Sequence, residues 1–119
     1  LLDMYNNYLV DNIIINKIKI WNNLPINYKK NEYLIKTNYV SIILFWKNNC
    51  IILKEIIINK EFRGRKIFTN LIIELEKLNQ NIKIQSIFNR KLFKTMIKKK
   101  WKPIDNNWSV FYNSKINHK

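Results

Sequence analysis

Small residues are almost missing from this chain, which has one glycine, Gly64, and no alanine among its 119 residues. Against three Arg stand 23 Ile, 20 Asn and 19 Lys, a skew that follows AT-rich codons more closely than any structural need. Cysteine is nearly as scarce. Cys50 alone excludes an internal disulfide, and with His118 the only histidine there is no Cys/His cluster for a zinc ion. A reducing, intracellular setting is therefore expected. Long apolar runs are lacking too: the longest, Ile42-Ile43-Leu44-Phe45-Trp46, falls far short of the roughly 20 residues a membrane helix needs. No signal-peptide pattern opens the chain, so the expectation is a cytoplasmic protein with no membrane partner. The first residue is Leu1 rather than Met, and a few preceding residues are expected.

Acidic residues are the other shortage, 8 Asp+Glu against 22 Lys+Arg, for a formal charge of +14. Apolar residues make up 47% and aromatics 13%, enough for a core, which excludes intrinsic disorder and points to one small folded domain over residues 1–119. Codon bias toward Lys raises the charge without any partner, so +14 by itself does not define a nucleic-acid binder. Its distribution says more. Residues 1–59 carry seven basic and four acidic side chains, whereas residues 60–119 carry 15 basic and four acidic ones.

Leu2, Tyr5, Leu9, Ile13, Ile14, Ile18 and Trp21 recur at three- and four-residue spacings, which predicts one or two short amphipathic helices. Pro25 interrupts, and residues 27–31 read as a loop. Glu32 to Lys36, Val40 to Lys47 and Cys50 to Asn59 read as a meander of three strands, with Asn48-Asn49 as a tight hairpin. The third strand is apolar on both faces apart from Lys54 and Glu55, so it is expected to be central and covered on both sides. From Lys66 to Leu78 the period becomes helical, with Ile67, Leu71, Leu75 and Leu78 on one face. Ile82 to Ile87 returns to strand, Arg90 to Lys99 is again amphipathic and ends before Pro103, and Trp108 to Tyr112 is a final strand.

The strand running through Lys60-Glu61-Phe62-Arg63-Gly64-Arg65 straight into a helix places unpaired amides beside the only glycine, a site for an anionic phosphate. Arg63, Arg65 and Lys66 add charge there, and an ordinary strand-to-helix turn with solvated basic residues is the plain alternative.

Over roughly residues 50–112 this arrangement resembles the GNAT superfamily of CoA-dependent N-acyltransferases: a strand ending Ile56-Ile57-Ile58, then Arg63-Gly64-Arg65-Lys66-Ile67-Phe68-Thr69, then a strand, Asn89, a helix and Lys100-Trp101. It looks most like the compact members common in phages and bacteria. The resemblance implies an α/β (α+β) fold, a mixed, mostly antiparallel sheet flanked by helices and splayed between the strands at 50–58 and 82–87. It also implies acetyl-CoA as cofactor, with the amides of the 63–69 turn on its pyrophosphate, Asn89 against the cofactor, and the peptide groups of Ile57 and Ile58 at the thioester carbonyl. Lys66 and Phe68 stand where the family carries small residues, Met96 where many members carry an acidic tyrosine, and Lys100-Trp101 where Gly-Phe is usual.

Amine acylation needs a neutral amine, a polarised carbonyl and a proton for sulfur. Glu55, placed by simple alternation on a face with Ile51, Leu53 and Ile57, is the candidate base, its pKa raised by desolvation; pairing with Lys54 is the plain alternative. Tyr112 is a candidate phenol or simply a rim aromatic, and Cys50 is expected to be a small buried hydrophobe rather than a nucleophile. The basic run Arg90-Lys91, Lys94, Lys98-Lys99-Lys100 and Lys102, with Phe93 and Trp101, is the alternative site: a face for a phosphate backbone with Trp101 stacking a base, or a solvated helix face. Three functions follow as expectations: acetyl transfer from acetyl-CoA to an amine of a small molecule or of a protein lysine or N-terminus; a non-catalytic module on the same fold; and a transferase acting on nucleic acid or a nucleic-acid-bound protein.

Overall fold

The computed structural model describes residues 13–62, 66–85, 90–105 and 111–114. Helix α1 covers residues 13–22 and buries Ile14, Ile15, Ile18 and Trp21, the stripe its spacing predicts. A turn of 3-10 helix, Ile26–Tyr28, follows Pro25. Lys29 then folds back under α1: its ammonium donates to Asn22 O at 2.8 Å and lies 5.7 Å from the Trp21 ring and 4.7 Å from the Trp46 ring. Only 5% of Lys29 is exposed, and burial pushes its pKa down.

Strands β1 (Tyr33–Lys36), β2 (Val40–Lys47) and β3 (Cys50–Ile58) form the predicted antiparallel meander. Asn48 and Asn49 take φ of 54° and 61°, the left-handed pair that a two-residue hairpin requires and that Asn tolerates best after Gly. Helix α2 (Ile67–Glu76) carries the chain to β4 (Ile82–Ile84), which pairs with β3 in parallel. Helix α3 (Arg90–Lys98) leads to β5 (Lys102–Pro103) and β6 (Phe111–Asn113), and the sheet order is β1-β2-β3-β4-β6-β5. The result is an α+β fold, a six-stranded mixed sheet with three α-helices among the described residues.

Alternate strand residues Ile42, Leu44, Ile51, Leu53, Ile82, Ile84 and Phe111 share one hydrophobic cluster with buried side chains of α1, α2 and α3. The three helices therefore cover one face of the sheet.

Two expectations change. Strand β3 is central, but it is buried on both faces only from Cys50 to Leu53; Lys54, Glu55 and Ile57 are exposed. The cause is a β-bulge: Ile43 pairs with Glu55 while Leu44 pairs with Leu53, leaving Lys54 as an extra residue. Pro103 does not stop α3 but lies in β5, an edge strand, where a missing N–H is tolerated. The helix stops earlier at Lys100, left-handed at φ 65°, with Trp101 N–H donating to Met96 O at 3.1 Å and Lys100 N–H to Ile97 O at 3.0 Å. That is a Schellman ending, whose left-handed position is usually glycine. The readings at residues 1–12, 86–89 and 106–110 fall outside the described residues.

Candidate functional site

Helix α2 starts from Lys66, which takes φ 60° and ψ 19° and makes no side-chain cap. Its carbonyl already accepts Asn70 N–H at 3.0 Å, so the helix proper begins at Ile67, one residue after the start its periodicity predicts. The amides of Ile67, Phe68 and Thr69 have no acceptor within the helix and form its positive end. Ile67 and Phe68 are buried in the interior. Their side chains are thus turned away, and Phe68 does not block approach to the backbone at this end.

The second wall comes from α3. Met96 and Trp101, brought together by the Schellman ending, are both buried, and Phe93 packs edge-on against Phe111 with centroids 5.8 Å apart. Glu76, at the end of α2, fixes the two helices: it accepts Trp101 Nε1–H at 3.2 Å and lies 3.8 Å from Lys99 Nζ. Between the helices runs a groove of about 520 Å³ lined by Lys66, Thr69, Glu76, Thr95, Lys98 and Lys99. Glu76 offsets Lys99, whereas Lys66 and Lys98 have no ion-pair partner among the described residues. The groove joins an amide-rich helix end to uncompensated ammonium groups, an arrangement suited to a phosphate-bearing ligand.

The sequence reading missed Lys98, Lys99 and Thr95 as members of this groove. Their helical spacing showed which way they face relative to Met96, but only the contact with α2 places them opposite Lys66. Arg63, Gly64, Arg65 and Asn89 lie outside the described residues.

At the end of β3, Asn59 N–H donates to Tyr39 O at 2.9 Å. Antiparallel alternation then turns the backbone of Ile57 toward Ser41 of β2, and the backbones of Ile56 and Ile58 toward the β4 side. Of the two expected peptide groups, Ile58 is on that side and Ile57 is not. Pairing of β3 with β4 runs from Ile51 to Leu53, closed by Gln85 N–H on Leu53 O at 2.9 Å. Beyond it, among the described residues, β3 continues to Ile58 with β2 as its strand partner.

Glu55 is not where simple alternation puts it. The bulge moves it to the face of Ile43 and Ile57, away from Ile51 and Leu53, and it is exposed, so burial does not desolvate it. Lys54 pairs instead with Glu32 at 2.7 Å, and that hydrogen bond, reinforced by the charge of Glu32, raises its pKa. Trp101 is 2% exposed and cannot stack a base. Cys50 is buried as expected; burial pushes its thiol up, partly offset by the charge of Lys83. Among the described residues no group of His, Cys, Asp and Glu could hold a metal ion, and no helix is long and apolar enough to cross a membrane.

No family model, curated protein or solved structure matches this chain.

Proposed function

We propose that the chain is a GNAT-type N-acetyltransferase that moves an acetyl group from acetyl-CoA to the amine of a small molecule or of a protein lysine or N-terminus. The observation that carries this reading is the junction of β3, α2 and β4. Two parallel strands are joined through α2, their pairing among the described residues covers Ile51 to Leu53 while β3 runs on to Ile58, and the helix that follows opens onto the basic groove with α3. Two departures from the family pattern also have a physical account. Phe68 is turned into the core, and Lys100 takes the left-handed conformation that glycine takes elsewhere.

The donor set fits a pyrophosphate: the first amides of α2 bind it, with Lys66 and Lys98 supplying charge. Acetyl-CoA brings an acyl carbon activated by sulfur; the amine lone pair forms the C–N bond, the C–S bond breaks, and the departing thiolate takes a proton from water. Backbone amides on the β4 side of β3 polarise the carbonyl, a role independent of side-chain identity. Glu55, open to solvent, takes the amine proton once a bound acceptor covers it.

Calorimetric titration with acetyl-CoA is expected to show saturable binding, weakened at least about five-fold by Lys66→Glu or Lys98→Glu. The same reversal at exposed Lys30, remote from the groove, should change it less than two-fold. No binding at millimolar acetyl-CoA would reject the reading. Glu55→Gln is expected to lower the rate while leaving acetyl-CoA affinity intact; an unchanged rate removes Glu55 as the base.

Met96 favours a second reading, a cofactor-binding module without turnover. It is fully buried where many family members place an acidic phenol, so it provides no proton for the leaving sulfur. Acetyl-CoA binding without CoA release across a panel of primary amines would select this reading.

A further inference from the structure

The opposite face of the sheet carries a second, differently built pocket. Phe45, Ile52, Lys83 and Tyr112 are successive register partners across β2, β3, β4 and β6 and so form one row on the face turned away from the helices. At about 4.8 Å per strand the row spans about 14 Å. Lys47 and Cys50 pair in the neighbouring row. These side chains, with Asn48 and Gln85, line a cavity of about 260 Å³.

Its chemistry is one-sided. Neither Lys47 nor Lys83 has an ion-pair or hydrogen-bond partner among the described residues, and no carboxylate is among the described lining residues. Amides of Asn48 and Gln85 and the Tyr112 phenol add donors around the two ammonium groups. The floor is apolar: Ile52 and Cys50 are buried, and Phe45 lies half-buried beside them. Half-buried Lys83, carried on a short central strand between Ile52 and Tyr112, gains most from an anion, because its surroundings are poorer in water than those of the exposed lysines.

We propose that this pocket binds a small organic anion, a carboxylate or phosphate ester attached to one compact ring, with the anion on Lys83 and Lys47 and the ring against Phe45 over Ile52. Binding is non-covalent. Cys50 contributes only floor, since its buried thiol is held protonated. The small volume sets the size class, below the roughly 300–1,000 Å³ of drug-sized pockets.

The test is a titration of the full chain with phenyl phosphate, followed by backbone amide chemical shifts. Saturable shifts are expected at residues 45–52, 81–85 and 112. Lys83→Met should weaken binding at least about five-fold, Lys47→Met should act in the same direction, and inorganic phosphate, which lacks the ring, should bind at least about five-fold more weakly. Shifts confined to residues 66–76 and 90–100, indifference to both lysine variants, or equal affinity for inorganic phosphate would each overturn the proposal. Lys83→Met is expected to leave acetyl-CoA binding unchanged, so this site and the α2–α3 groove fail or succeed independently.

Discussion

Replacing Trp101 with Ala is expected to lower folding stability by about 3–5 kcal/mol, the range for deleting a large buried aromatic. Against a total of about 5–15 kcal/mol for a domain, that removes much of the margin. Trp101 is 2% exposed and belongs to the central hydrophobic cluster, and its backbone N–H closes the end of α3 on Met96 O. Its indole also donates to Glu76, so the same residue ties α3 to α2 and sets the width of the basic groove. Trp101→Phe separates these roles. It keeps a packed ring but loses the indole donor, and is expected to cost about 1–2 kcal/mol. Urea denaturation followed by circular dichroism measures both, and a Trp101→Ala variant within 1 kcal/mol of the parent would show that the indole packs no core. A nucleic-acid stacking role predicts the reverse ordering, with binding lost and stability kept.

The second large effect centres on Lys29. Lys29→Met keeps the aliphatic stem but removes the ammonium from between the Trp21 and Trp46 rings and leaves Asn22 O, at the end of α1, without its donor. The expected loss at pH 7 is about 2–3 kcal/mol, from an unsatisfied buried acceptor together with the lost cation–π contacts. Its pH dependence identifies the cause. Burial lowers the folded pKa of Lys29 below its unfolded value near 10.5. Between those two values the unfolded chain holds a proton that the folded chain has released, so stability gained through Lys29 rises with pH. The parent's advantage over Lys29→Met should therefore widen as urea titrations move from pH 7 toward pH 10. Lys54, raised by its bond to Glu32, pulls the other way in both proteins and cancels in the difference. A gap that stays flat or narrows would mean that Lys29 is not desolvated.

Strand β2, the Asn48-Asn49 turn and the start of β3 were legible because local signals agree: β-branched runs on both sides of two residues that accept left-handed φ. The core face of α2 was legible from its period alone. What the sequence hid depends on partners. Nothing in Leu53-Lys54-Glu55 announces a bulge, because the extra residue is defined only by the register of β2 opposite, and so the face of Glu55 was misread. Lys100 gave no sign of ending a helix: Gly or Asn carries that signal, Lys does not, and Pro103 drew attention further along. The candidate site was half legible. The start of α2 follows from the strand-to-helix change, but that Lys98 and Lys66 line one groove is a tertiary fact that helical spacing cannot supply.

Strand β3 can also be considered in terms of phase. Its inward positions are 51 and 53, then 56 and 58, odd numbers giving way to even ones across Lys54. Strike out that one residue and the alternation is unbroken, with every side chain still on its present face. Lys54 is therefore not needed to sort the side chains. What it supplies is curvature, since a bulged strand bends and twists more strongly than a regular one. The bend falls just past Ile51 to Leu53, the stretch of β3 that pairs with β4 among the described residues. An insertion of a single residue, neutral to the hydrophobic code, thus sets where the strand bends.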